Sequence, residues 1–122
     1  MPRRTRSDGD DPTTTVLVAD GQVLFARRLV AALRAEGGIE VVGQTEDGDG
    51  AVRRATVLQP DVAVVGSDLT TDGGQTARSE IELASPATKV LSLVDHAPST
   101  NEVERTDLDD VVAAVRALGE GQ

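Results

Sequence analysis

The sequence has no cysteine, no tryptophan and no tyrosine, and Phe25 is its sole aromatic residue. Without cysteine there is no disulfide framework, no thiolate metal site and no cysteine nucleophile. A single histidine, His96, leaves no multi-histidine metal site. The scarcity of aromatics removes the stacking platforms that bind bases and sugars, so the core must be built from Val, Leu, Ile and Ala. Positive charge is also short: 12 basic residues face 21 acidic ones, a formal net charge of -9. Such a field repels nucleic-acid phosphates and anionic membrane, and no direct nucleic-acid partner is expected. No apolar run approaches the roughly 18 residues of a membrane span, and no apolar secretory segment opens the chain. These absences point to a cytoplasmic protein with no membrane partner. At 122 residues the chain is one domain by size.

What is present alternates between two patterns. Residues 1–14 are polar, carry Arg3, Arg4 and Arg6 against Asp8, Asp10 and Asp11, and read as a disordered tail before a domain over 15–122. Thr15 to Ala19 and Asp61 to Val65 are short apolar runs without alternation, as in strands buried on both faces of a parallel sheet, and Ile39 to Gly43 and Lys89 to Val94 read as two further strands. Asp61 to Val65 reads as the central strand, with Pro60 closing the helix before it. Between the runs lie helical patterns. From Gln22 to Glu36, Leu24, Phe25, Leu29, Val30 and Leu33 form the apolar stripe and Gly37-Gly38 stops the helix. A short helix over Gly50 to Gln59 follows a capping turn at Asp47 to Asp49, and a weaker one spans Gln75 to Ala84 with Ala77, Ile81 and Ala84 inward. The last helix begins with Asp107 as N-cap, buries Leu108, Val111, Val112, Val115 and Leu118, and ends at Gly119. Alternating strands and helices with short connections define an α/β, doubly wound parallel sheet.

The stretches VLVADGQVLF, IEVVGQTEDGDGAV, LQPDVAVVG, ATKVLSLV and DLDDVVAAVRAL resemble the receiver domain of bacterial response regulators, the kind found with LuxR-type output domains. The resemblance implies a flavodoxin-like fold in which an aspartate ending the third strand takes a phosphoryl group. It also implies an acidic pair after the first strand that holds magnesium, a Thr or Ser ending the fourth strand and a Lys ending the fifth. Carried over residue by residue, Asp20 matches the first acid, whereas Gly21 stands at the second. Gly66 occupies the phosphoacceptor position, Val94 the hydroxyl position and Glu104 the lysine position. Phosphoryl transfer to a carboxylate needs an attacking oxygen, a divalent cation and a fixed cation or hydroxyl. This set supplies none of them intact, so no catalytic residue, metal or cofactor is expected.

Length departs as well. Only the twelve residues Asp95 to Thr106 lie between Val94 and Asp107, where receivers place a helix, a loop and a strand. The fourth receiver helix is expected to be lost or reduced to a turn. Asn101 to Glu104 is expected to be a weak fifth strand, leaving Lys89 to Val94 near an edge covered by the Pro98 loop or a partner.

Three functions follow. The preferred one is a phosphorylation-independent receiver-like module that regulates by binding a protein partner, a kinase or regulator, or a second copy of itself. The second is a single-domain response regulator phosphorylated on a substitute acid, Asp68 or Asp20. The third is ligand sensing at the carboxyl ends of the strands, where Gly21, Gly66 and Gly74 leave room. Asp68 otherwise reads as a turn or capping residue, His96 beside Asp95 as a solvent-exposed loop residue, and the glycines as turn formers. Gly48 to Gly50 and Gly73-Gly74 lack the spacing of phosphate-binding loops.

Overall fold

The structure is a computed structural model that describes residues 13–66, 75–94, 102–104 and 108–120. Nine elements follow one another: β1 (Thr14–Ala19), α1 (Val23–Ala35), β2 (Ile39–Thr45), α2 (Gly48–Leu58), β3 (Val62–Gly66), α3 (Gln75–Ala84), β4 (Lys89–Val94), β5 (Glu102–Glu104) and α4 (Leu108–Glu120). The sheet is parallel in the order β2-β1-β3-β4-β5. The α/β, doubly wound, flavodoxin-like architecture expected from the sequence is therefore the one observed, with β3 in the centre. The expectations for residues 1–12, the loop with Asp68 and Gly74, His96, the Pro98 loop and the Asp107 cap lie outside the described residues.

The apolar strand runs work because each strand feeds two cores. Val16, Val18, Val62, Val64, Leu91 and Leu93 face α1 and α4, where Leu29, Leu33, Val111 and Val115 complete a fully buried layer. The alternate residues Leu17, Ala19, Ala63, Val65 and Val90 face α2 and α3, meeting Ala51, Ala55, Ala77 and Ile81. This second layer is rich in alanine, so its two helices lie close to the sheet and gain less from burial than the first pair.

Helix ends follow local chemistry. The Asp47 side chain caps α2 by accepting the Gly50 N–H at 2.6 Å. At the other end Gln59 adopts a left-handed conformation with φ of 48°. Its side chain offsets the strain by donating to Thr56 O at 3.0 Å and to Ala84 O at 3.3 Å. That last bond sets the carboxyl ends of α2 and α3 level with each other. After α1, Gly38 supplies the positive φ of 85° that turns the chain into β2.

Four expectations need correction. β1 begins at Thr14, inside the stretch read as a tail, because its N–H donates to Gly38 O at 2.8 Å and joins the sheet beside β2. Leu24 is not in the buried stripe of α1 but 72% exposed, and Ala26 takes the inward position. Gly119 does not end α4, which continues to Glu120. A Cβ at residue 119 would stand 2.6 Å from both Thr14 Cγ2 and Thr14 Oγ1, so glycine serves the close approach of α4 to β1. Finally, half of the β4 edge is covered from within the sheet, β5 pairing Ser92 with Glu102, Leu93 with Val103 and Val94 with Glu104.

That cover is half-length, and chain length explains why. Seven residues, 95–101, join β4 to β5. Parallel neighbours ordinarily need a crossover of about a dozen residues or more. By pairing only with the carboxyl-terminal half of β4, the three-residue β5 reduces the return to about 10 Å, which seven residues span. The expectation about the receiver helix between these strands falls on residues 95–101, outside the described residues, and β5 is the short strand expected. Among the described residues, no strand pairs with the outer edge of Lys89 to Leu91.

Candidate functional site

The carboxyl ends of a parallel sheet concentrate loops and helix N-termini, which is where open α/β sheets place chemistry. Strand register brings the sequence-selected positions to that edge. Ala19 pairs with Val65, so Asp20 and Gly66 follow at the ends of adjacent strands. Gly66 is buried and in register with Leu93, one residue before Val94. Val94 is in turn the register partner of Glu104. Asp20, Gly21, Gly66, Val94 and Glu104 thus share one rim. Asp68 lies outside the described residues.

Asp20 is 0% exposed and is held by local bonds. Its Oδ1 accepts the Gln22 N–H at 2.8 Å, which starts α1, and its own N–H donates to Thr45 O at 3.1 Å, which ties β1 to the end of β2. A buried carboxylate fixed in this way serves the turn. Gly21, beside it, is exposed and brings no side-chain ligand. Gly66 brings no oxygen either, and Val94 no hydroxyl. Among the described residues, no three His, Cys, Asp or Glu side chains gather closely enough to hold a metal ion.

Two features escaped the sequence reading. The first is Arg78 on α3, whose Nη1 donates to Ser92 Oγ on β4 at 2.6 Å while its Nε pairs with Glu82 Oε2 at 3.3 Å. The i,i+4 spacing of Arg78 and Glu82 signals the ion pair, but nothing local signals the bond to a strand. The second is a polar network at the opposite, amino-terminal end of the sheet. Asp61 Oδ2 accepts from Thr15 N at 2.9 Å and from Thr15 Oγ1 at 3.2 Å, and the Lys89 N–H donates to Asp61 O at 2.9 Å. Thr88 Oγ1 donates to Pro60 O at 2.6 Å, so the buried Ser85 hydroxyl donates to Thr88 Oγ1. These groups join β1, β3 and β4 and close the turn after α3. They have the character of a structural clasp, at the end of the sheet opposite the rim that holds Asp20 and Gly66.

No protein-family model matches the chain. Among curated proteins it is 35% identical over 85 residues to protein-glutamate methylesterase/protein-glutamine glutaminase 2 of Anaeromyxobacter dehalogenans, covering 70% of this chain and 25% of that protein. It is 37% identical over 71 residues to the protein-glutamate methylesterase/protein-glutamine glutaminase of Vibrio parahaemolyticus, covering 58% and 19% respectively. The chain therefore spans a quarter or less of the length of these relatives. Among solved structures, the signal receiver domain of NarL from Mycobacterium tuberculosis superposes with a TM-score of 0.81 at 22% identity, covering 92% of this chain and all of that one. The response regulator domain of Thermotoga maritima CheB superposes with a TM-score of 0.75 at 18% identity, covering 88% of this chain and 97% of that one.

The fold is that of response regulator receiver domains. The fifth strand has three residues, and the rim positions singled out in the sequence are Asp20, Gly21, Gly66, Val94 and Glu104.

Proposed function

We propose that this chain is a receiver-like regulatory module of bacterial two-component signalling that works independently of phosphorylation, by contact with protein partners such as a kinase, a regulator or a second copy of itself. One observation carries the reading: the buried residue at the carboxyl end of the central strand, where the receiver resemblance puts an attacking carboxylate, is Gly66. The remaining rim weakens phosphoryl chemistry further. Glu104 adds negative charge at the position where a cation would neutralise the transferring group, and Gly21 supplies no metal ligand. Asp20 is a poor substitute acceptor, because its side chain is fully buried and its Oδ1 is already engaged by the Gln22 N–H at the start of α1. Protein contact draws support from a solved neighbour, a CheX-CheY complex from Borrelia burgdorferi; that complex also holds BeF3 and Mg2+, so it supports contact with a protein and not independence from phosphorylation. The catalytic activity of the methylesterase relatives is not part of this proposal, since the match stops at a quarter of their length.

Incubation with a small acyl phosphate and Mg2+, followed by intact-mass measurement, tests the reading. The expected result is no added phosphoryl mass. Stoichiometric addition, mapped to Asp68 or Asp20, would replace this proposal with a single-domain response regulator using a displaced acceptor.

A further inference from the structure

Of the four large apolar side chains exposed among the described residues, Leu24 stands apart on α1 and the other three lie together. Val57 on α2 and Leu83 on α3 are 80% and 83% exposed, and Leu58, beside Val57, is partly exposed. They belong to neighbouring helices on one face of the sheet, brought level at their carboxyl ends by the Gln59 bond to Ala84 O. One turn back along each helix the outward residues are charged and of opposite sign: Arg53 on α2 and Glu80 on α3, both exposed. Among the described residues neither has an ion-pair partner, while the other acid of α3, Glu82, is occupied by Arg78.

This arrangement is complementary to itself. A two-fold axis lying along the helices would place α2 of one copy over α3 of the other. Val57 would then meet Leu83 of the second copy, Arg53 would meet its Glu80, and both contacts would occur twice, as an isologous interface requires. We infer that the α2–α3 face is a homodimer interface, with Val57 and Leu83 at its centre and the Arg53–Glu80 pairs fixing its register. A second copy satisfies all four residues at once without any group beyond those on the face. Helices of this length extend about 16 Å. Two side by side present about 300 Å2, below the roughly 800 Å2 per partner of a standard stable interface. The dimer is therefore weak and reversible, which suits a switchable regulator. It stands apart from the phosphorylation reading, because a chain that accepted a phosphoryl group could still pair in this way.

Analytical ultracentrifugation of the full chain up to about 1 mM, with Arg53→Glu, Glu80→Arg, the double exchange and Leu83→Asp, tests the interface. The wild type should associate reversibly, and Leu83→Asp should abolish association. Each charge variant should weaken it about tenfold, because a reversed pair occurs twice per dimer. The double exchange should restore it. Glu80→Arg is the sharpest arm: it lowers the net negative charge, so general self-repulsion predicts tighter association whereas the proposed pairing predicts weaker. A chain that is monomeric throughout, a dimer indifferent to Leu83→Asp, or a Glu80→Arg variant that associates more tightly would overturn the inference.

Discussion

At the scale of single residues, glycine carries the most information and is the easiest to misread. Gly119 looks like a helix stop, yet it lies within α4 at the point where Thr14 leaves no space for a side chain. Two effects of substitution oppose each other. Alanine in a helix gains up to about 1 kcal/mol of propensity over glycine. Forcing a methyl group against a short, β-branched neighbour costs about 1–3 kcal/mol. Gly119→Ala should therefore destabilise the fold by about 1 kcal/mol in denaturant unfolding, and become neutral or stabilising in a Thr14→Ala background. A stabilised single variant would show that the last turn of α4 simply moves away. Gly66 is a different case, since its significance is chemical. On the proposed reading Gly66→Asp supplies an attacking oxygen but not the metal ligand, hydroxyl or cation, so the intact-mass assay should still find no efficient phosphorylation. Rapid, stoichiometric uptake by that variant would contradict this account of the rim.

At the scale of elements, the strands and α3 were legible because their signals are local. Continuous apolar runs rich in β-branched residues mark β1 and β3, and the bounds of α3 and β4 agree with the sequence reading residue for residue. The stripe of α4 was equally plain. The exposure of Leu24 was not, because periodicity gives the spacing of a stripe but not the width of the face that packs. Among the site positions, the shared rim followed from strand ends alone. The clasp of Thr15, Asp61, Ser85 and Thr88 did not, because its partners are as much as 46 residues apart and Asp61 reads locally as an ordinary residue before a strand. That clasp is testable. Asp61→Ala leaves the Thr15 N–H and hydroxyl without their acceptor and should cost about 1–3 kcal/mol, seen as a lower denaturation midpoint with an unchanged m-value. Thermal or chemical stability equal to wild type would show that water replaces the carboxylate there.

At the scale of the whole molecule, the net charge of -9 and the self-complementary α2–α3 face act against each other. Long-range repulsion keeps copies apart at low ionic strength, and short-range pairing acts only once they meet. The balance makes any association sensitive to protein concentration and to ionic strength. The contact between Thr14 and Gly119 has a separate topological meaning. It sets the start of the first strand against the end of the last helix, so the ordered path nearly closes on itself. A circularly permuted chain, with residues 14 and 119 joined through a short flexible linker and opened between β3 and α3, would keep every strand pairing and both cores.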